Sequence, residues 1–270
     1  MQDKDQILIT ANAEPVSLGS MLFTIVEPHR GHEVEYNRWY ERDHLYSGCM
    51  IGPYNFAARR FVATWDLKGL RNQNAAKICG KSTTGSYLAM YWILKDYGHI
   101  WGKWAGKQVM ALHQAGRMFE HREHVHTQLY DYLFEVGDPT VAVPAELALD
   151  HPFSSVMVEF FDKNPAVDQE DYEAGLSEMA RTRLVELGNT ANSLVFSPQA
   201  MKGSAPGVPA GSSNLDRYLV ITFSNVTPYE ICNDSKLGKS NDIIDTDSPA
   251  RLFFIPTIPG TDCYSDQLWS

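Results

Sequence analysis

The sequence predicts an α+β protein of two β-α-β-β-α-β halves whose sheets pack face to face to close an α/β barrel. Over residues 1–137, short apolar runs rich in β-branched and aromatic residues alternate with stretches whose apolar residues recur near every 3.6 positions. Gly137-Asp138-Pro139 and an Ala/Pro-rich run then mark a linker over 138–150, after which the same order of elements recurs over 151–270. Each half gives a four-stranded sheet with helices on one face, so its other apolar face needs a partner sheet, and the halves supply one another.

The elements follow in order. Residues 20–27 (SMLFTIVE) read as a buried strand stopped by Pro28-His29-Arg30-Gly31. A helix over 33–47 puts Tyr36, Tyr40 and His44 on one side, turns Glu35, Arg38 and Arg42 away, and ends at Gly48. Two strands, 56–64 and 86–94, flank a polar connection long enough to act as a lid. Asp96 is the expected N-cap of a helix over 97–120 with Tyr97, Trp101, Trp104, Ala105 and Leu112 on one stripe, and a strand over 127–136 closes the half. The second half reads as a strand at 153–161, a helix at 168–187, strands at 192–197 and 217–223, a short helix over 227–237 and a last strand at 251–255. The stretch 201–214 is a Gly/Ser/Pro-rich loop.

Composition narrows the function. With 23 basic against 33 acidic residues the net charge is -10, which repels nucleic acid and anionic membranes. The longest apolar run, 87–94, is too short to cross a bilayer, and the opening residues lack the pattern of a secretory signal, so the expectation is a soluble cytoplasmic protein. Cys49, Cys79, Cys232 and Cys263 are too scattered for a disulfide framework or a zinc ribbon.

At Trp39-Tyr40-Glu41-Arg42-Asp43-His44, on a helix that follows an apolar strand, the sequence resembles EthD-like members of the dimeric α/β-barrel superfamily. The resemblance implies ferredoxin-like repeats, a hydrophobic cavity between each sheet and its helices, and an oligomer such as a homodimer. It implies no single reaction: relatives include monooxygenases without cofactor, cyclases, isomerases, dehydratases and haem enzymes. Here Leu45-Tyr46 follows the histidine in place of the frequent His-x-Pro continuation.

All nine histidines lie at or before residue 151, so imidazole acid/base chemistry belongs to the first half, 1–137, and the second is a structural completion. In fused two-repeat haem relatives the iron ligand commonly comes from the second repeat, which has no histidine here beyond His151 at its first position, and no cofactor is expected. His44 is the first candidate base, with Tyr40 at i-4 and Glu41 at i-3; the competing role is a hydrogen-bonded core histidine. His121, His124 and His126 form H-x-x-H-x-H at a strand entrance, where His124 and His126 share a face on an extended chain; they read as exposed residues, as a pocket acid/base or, less well, as zinc ligands. Gly98, Gly102 and Gly106 make a flat helix stripe against which a neighbouring element or a flat substrate would lie. Gly48 to Tyr54 would wall a pocket, with Cys49 a poor candidate nucleophile.

The expected function is a cofactor-independent lyase, dehydratase, isomerase or cyclase acting on an apolar aromatic or polycyclic small molecule. His44 would be the base, Tyr40, Tyr46 or Tyr54 would bond a substrate oxygen, and His124 or His126 would return the proton. Tyr54, Trp39, Trp101, Trp104 and Gly102 would bind the substrate, with no metal. A non-catalytic binder of hydrophobic ligands and a metal-dependent lyase or hydrolase using His121, His124 and His126 are the alternatives.

Overall fold

The computed structural model describes residues 15–187, 191–200, 214–232 and 249–269. Its eight strands are β1 (Leu18–Pro28), β2 (Asn55–Val62), β3 (Tyr87–Leu94), β4 (Arg122–Val136), β5 (Ser155–Asp162), β6 (Asn192–Pro198), β7 (Arg217–Ser224) and β8 (Ala250–Pro256). They close an antiparallel barrel in the order β1-β3-β2-β8-β5-β7-β6-β4. Read round the ring, β4-β1-β3-β2 is followed by β8-β5-β7-β6, so both sets of four follow the same 4-1-3-2 order. Closure leaves no free sheet edge. The two joins differ: β4 and β6 share six register pairs, whereas β2 and β8 share two, Phe61 with Pro256 and Val62 with Ile255.

Alternation along the strands sorts the side chains between two environments. Met21, Phe23, Ile25, Met90, Trp92, Val158, Phe196, Ile221 and Phe254 point inward and fill the barrel. Outside the first sheet lie helix α1 (Glu33–Trp39), continued by a wider helix over Tyr40–Met50, and helix α4 (Gly98–Gln114). Outside the second lies α5 (Gln169–Leu187), which packs Tyr172 and Leu176 against Phe161, Val195 and Val220 of the sheet. There Glu159, wholly buried, pairs with both Arg183 and Arg251.

Both mouths are plugged. The segment 138–153 crosses one, burying Ala145, Ala148, Leu149 and Phe153, with the Trp92 indole N–H donating to the Ala145 carbonyl at 2.9 Å. The connection expected to be a lid closes the opposite end as short helices α2 (Trp65–Gly69) and α3 (Ala76–Cys79), which bury Leu67 and Ile78. It is pinned rather than free: Arg71 donates to the carbonyls of Ser82, Thr84 and Gly85. Beside it the Lys68 ammonium donates to Ser86 Oγ at 2.6 Å and to the Leu268 carbonyl at 3.1 Å, lies 3.5 Å from Glu27 and faces the Trp269 ring.

The sequence-based boundaries need four corrections. Helix α4 ends at Gln114 rather than 120, and its N-cap is Tyr97; Asp96 sits one residue earlier with φ +70 and does not cap. β4 starts at Arg122, which makes His124 and His126 strand residues and leaves only His121 at the entrance. The short helix α6 spans Pro228–Cys232, and the rest of the expected 227–237 lies outside the described residues, as does the loop over 201–213. Among the described residues no helix is long and apolar enough to cross a membrane.

Candidate functional site

Glu33 and Glu35 in the first turn suit the positive end of α1, and Tyr36 is buried against the sheet. From Tyr40 to Met50 the chain widens into a π-helix, in which residues five apart come into line. That spacing lays the His44 ring on Trp39, with centroids 4.4 Å apart and planes at 18°, while Tyr40 meets it edge-on at 5.3 Å. Glu41, expected beside His44, instead accepts the Gly260 N–H at 3.2 Å. The neighbouring carboxylate is Asp43, held by Arg117 and Ser47. The histidine also requires Gly48: a Cβ there would stand 2.7 Å from His44 Cε1 and 2.8 Å from Nδ1, so the ring lies directly on the backbone.

The second imidazole arrives through a bulge in β4. Ile25 pairs with His126 but Val26 pairs with His124, so Val125 is an extra residue. The insertion reverses the face of everything before it. His126 therefore points into the barrel, edge-on to Phe23 and Phe160 and 3.0 Å from the Tyr130 hydroxyl, whereas His124 points out toward the helices. The shared face expected for His124 and His126 is thus absent, and His126 does not join the site. His124 Nδ1 bonds Thr127 Oγ1 at 2.9 Å, and Thr127 in turn bonds Thr24 Oγ1 at 2.8 Å. His121 is exposed and stacked on His32 at 3.8 Å. The three histidines diverge, and among the described residues no group of three or more His, Cys, Asp or Glu is placed to hold a metal ion.

His44 and His124 are electrostatic neighbours. Burial, helped by the Arg122 charge, pushes the imidazoles of both down to about 3, which makes them neutral at pH 7. Each leaves a buried nitrogen without a hydrogen-bond partner, Nδ1 of His44 and Nε2 of His124. Around them stand Tyr40, whose hydroxyl bonds that of Tyr91 at 2.8 Å, and two guanidiniums. Arg122 lies 5.0 Å over Trp39, and Arg60 sits among Tyr36, Tyr40 and Tyr87 at 4.6 to 5.8 Å. Burial keeps Tyr36, Tyr40 and Tyr91 protonated and pushes the Cys49 thiol up to about 12, which removes Cys49 as a nucleophile.

The other predicted residues divide. Trp39 belongs to the site, stacked on both His44 and Phe119 with its indole N–H donating to the Arg117 carbonyl at 2.9 Å. Trp101 is wholly buried and Trp104 partly so, and both lie on Gly52, where a Cβ would come within 2.8 Å of either indole. They form the wall between α4 and the π-helix. Tyr46 is 54% exposed and does not face His44's neighbours, because the wide turn carries it outward. Tyr54, at φ +67, is stacked on Tyr97 at 3.7 Å, away from the histidines. In the glycine stripe only Gly98 meets a close neighbour, Ser20 on β1; Gly102 would meet Leu129 at an ordinary 3.6 Å and Gly106 nothing, so the stripe is a packing surface at one end rather than a substrate bed. Sequence reading missed Arg60 and Arg122, although a charged residue inside the apolar run FAARRFVAT was a visible signal.

A cleft of about 630 Å³ opens elsewhere, at the start of α4, between Ser20, Lys95, Asp96, His99, Asp131 and Gln199. It contains none of the predicted site residues. The histidine cluster, with neutral acid/base groups beside unpaired cations, is the better chemical site.

No family model matches the chain, and no curated protein matches it. Solved structures do. One assigned as a chlorite dismutase aligns at TM-score 0.51 and 12% identity over 94% of this chain and 100% of its own. An anthrone oxidase-like protein aligns at 0.50 and 8% over 92% and 98%. One assigned as a monooxygenase, from Fusobacterium nucleatum, aligns at 0.47 and 9% over 89% and 93%. At such identities the first two show a shared fold, the α+β barrel, and nothing finer.

Proposed function

We propose that the chain is a small-molecule enzyme of the EthD-like kind, built from two fused ferredoxin-like repeats, with its acid/base site between the first sheet and its helices. One observation carries this reading: two neutral imidazoles, each with an unpartnered buried nitrogen, stand beside each other in a setting of aromatic rings. A neutral imidazole accepts a proton: His44 removes one from the substrate, and the resulting imidazolium gives it back to a different atom of the same molecule, directly or after passing it to His124. Tyr40, kept protonated and oriented by Tyr91, donates to a substrate oxygen. Trp39 and Phe119 offer stacking area for an aromatic substrate. The reaction class is isomerisation, elimination or ring closure.

The resemblance to a superfamily with haem members raises the question of haem. The residues present do not fit it. The second half holds no histidine beyond residue 151, and the space between α5 and its sheet is filled by Tyr172 and Leu176 of the helix packed on Phe161 and Val220, together with the Glu159–Arg183–Arg251 cluster.

The test is turnover of a panel of hydroxylated aromatic ketones, followed by absorbance and chromatography, with wild type, His44→Asn and His124→Asn compared. Loss of a catalytic base costs roughly 10²- to 10⁴-fold, so His44→Asn should slow turnover at least a hundredfold while still binding ligand. Equal turnover in His44→Asn overturns the reading; ligand binding with no turnover in any variant favours a carrier.

A further inference from the structure

Buried cations in this chain are compensated almost everywhere. Lys68 has Glu27, Arg183 and Arg251 share Glu159, and Arg59 and Arg71 donate to backbone carbonyls. The histidine site gathers two cations with no carboxylate partner. Arg122 is half-buried and has no carboxylate partner there, only the face of Trp39. Arg60 donates through Nη1 to Asn37 Oδ1 at 2.8 Å, but its Nη2 is buried with no partner. The nearby acids do not fill the gap: Asp43 is taken by Arg117, Asp262 by Arg38, and Glu33 forms no ion pair with Arg60. A guanidinium nitrogen buried without an acceptor, beside a second cation lacking an acid, leaves the site poised for a negative charge from outside the chain.

We propose that this site recognises an aromatic anion, a carboxylate or phenolate, whose charged oxygen takes the place of the missing acid at Arg122 while its ring lies along the partly exposed edges of Trp39 and Phe119. The proposal rests on the acid/base reading above and names its substrate class. It also resolves a difficulty in that reading. An imidazole held at about 3 is a weak base; burial is the largest cause, and among the charges Arg122 comes first, with smaller shares from Arg117 and Arg60 and Asp43 opposing. A bound anion cancels part of that positive field and so raises the imidazole's basicity when substrate is present.

The probes are 1-naphthoate and 1-naphthamide, matched in shape and differing in charge, titrated by calorimetry and tryptophan fluorescence into wild type, Arg122→Gln and Arg122→Lys. Naphthoate should bind at least about tenfold more tightly than naphthamide in wild type, and the ratio should fall to within about twofold in Arg122→Gln. Arg122→Lys, which keeps the charge, should retain a preference and covers the case in which the glutamine variant does not fold. Equal binding of the two probes to wild type overturns the anion proposal and leaves the aromatic-site reading standing. A preference that survives in a folded Arg122→Gln also overturns it, because the anion is then held elsewhere. Failure of both probes to bind overturns the aromatic-site reading itself and the proposal with it.

Discussion

Substitution of His126 by phenylalanine isolates one buried ionisable group and makes a pH-dependent difference that can be measured. His126 is enclosed by Phe23, Phe160 and Tyr130, and burial pushes its imidazole down to about 4. In the folded protein the ring stays neutral down to that pH, while in the unfolded chain it takes up a proton near 6.5. Between those values the unfolded state binds more protons, so stability falls as pH falls, by about 1.4 kcal/mol per pH unit for this ring. From pH 7 to pH 4.5 that amounts to roughly 2–3 kcal/mol. His44 and His124 act in the same sense over a wider range, down to about 3, and Asp131, raised by burial, acts in the opposite one; both effects are common to the two proteins and cancel in the comparison. Phenylalanine also leaves the Tyr130 hydroxyl without its partner, a cost of about 1–3 kcal/mol that does not depend on pH. Urea unfolding of wild type and His126→Phe at pH 7.0, 5.5 and 4.5 should therefore show the wild-type advantage shrinking by about 2–3 kcal/mol across the series. A constant difference between the two proteins would refute the claim that this ring is held neutral inside the barrel.

Three further outcomes follow from the geometry. Glu159→Gln leaves two buried guanidiniums sharing no carboxylate and should cost about 3–5 kcal/mol, read as a fall in the urea midpoint; a cost below about 1 kcal/mol would show the cluster to be hydrated. Gly48→Ala should push the His44 ring off Trp39, costing roughly 1–3 kcal/mol of overpacking against about 1 kcal/mol of gained helix propensity, and should move the His44 Hε1 proton resonance as the ring current of Trp39 is lost; an unmoved resonance would contradict the contact. A water-soluble disulfide reagent should label exposed Cys263 in the native protein while Cys49 and Cys79, buried thiols pushed up to about 12 and 11, react only after unfolding.

The strand and helix order was readable because the chain changes cleanly between a period of two and one near 3.6, and because each sheet's second apolar face needs covering. The site was half readable, for definite reasons. Tyr36, Tyr40 and His44 satisfy a helical stripe whether the turn is of α or π width, so the spacing could not reveal that Trp39, five residues back, would be the stacking partner. The extra residue at Val125 carries no compositional mark, since valine suits a regular strand as well as a bulge, yet it decides which of His124 and His126 meets the helices. Tyr46 was drawn inward by a helix assumed to keep 3.6 residues per turn. Arg60 and Arg122 were overlooked because charge within an alternating strand is ordinarily turned to solvent; here the outer face of the strand lies under helices and rings.

The clasp on Lys68 ties residue 68 to residue 268 across a separation of 200 positions. A ribosome delivers those two ends far apart in time. Until the later one emerges, an ammonium group and the greasy patch around Leu268's seat stay open to water, so the docking of residue 268 is the slow phase to look for in refolding kinetics.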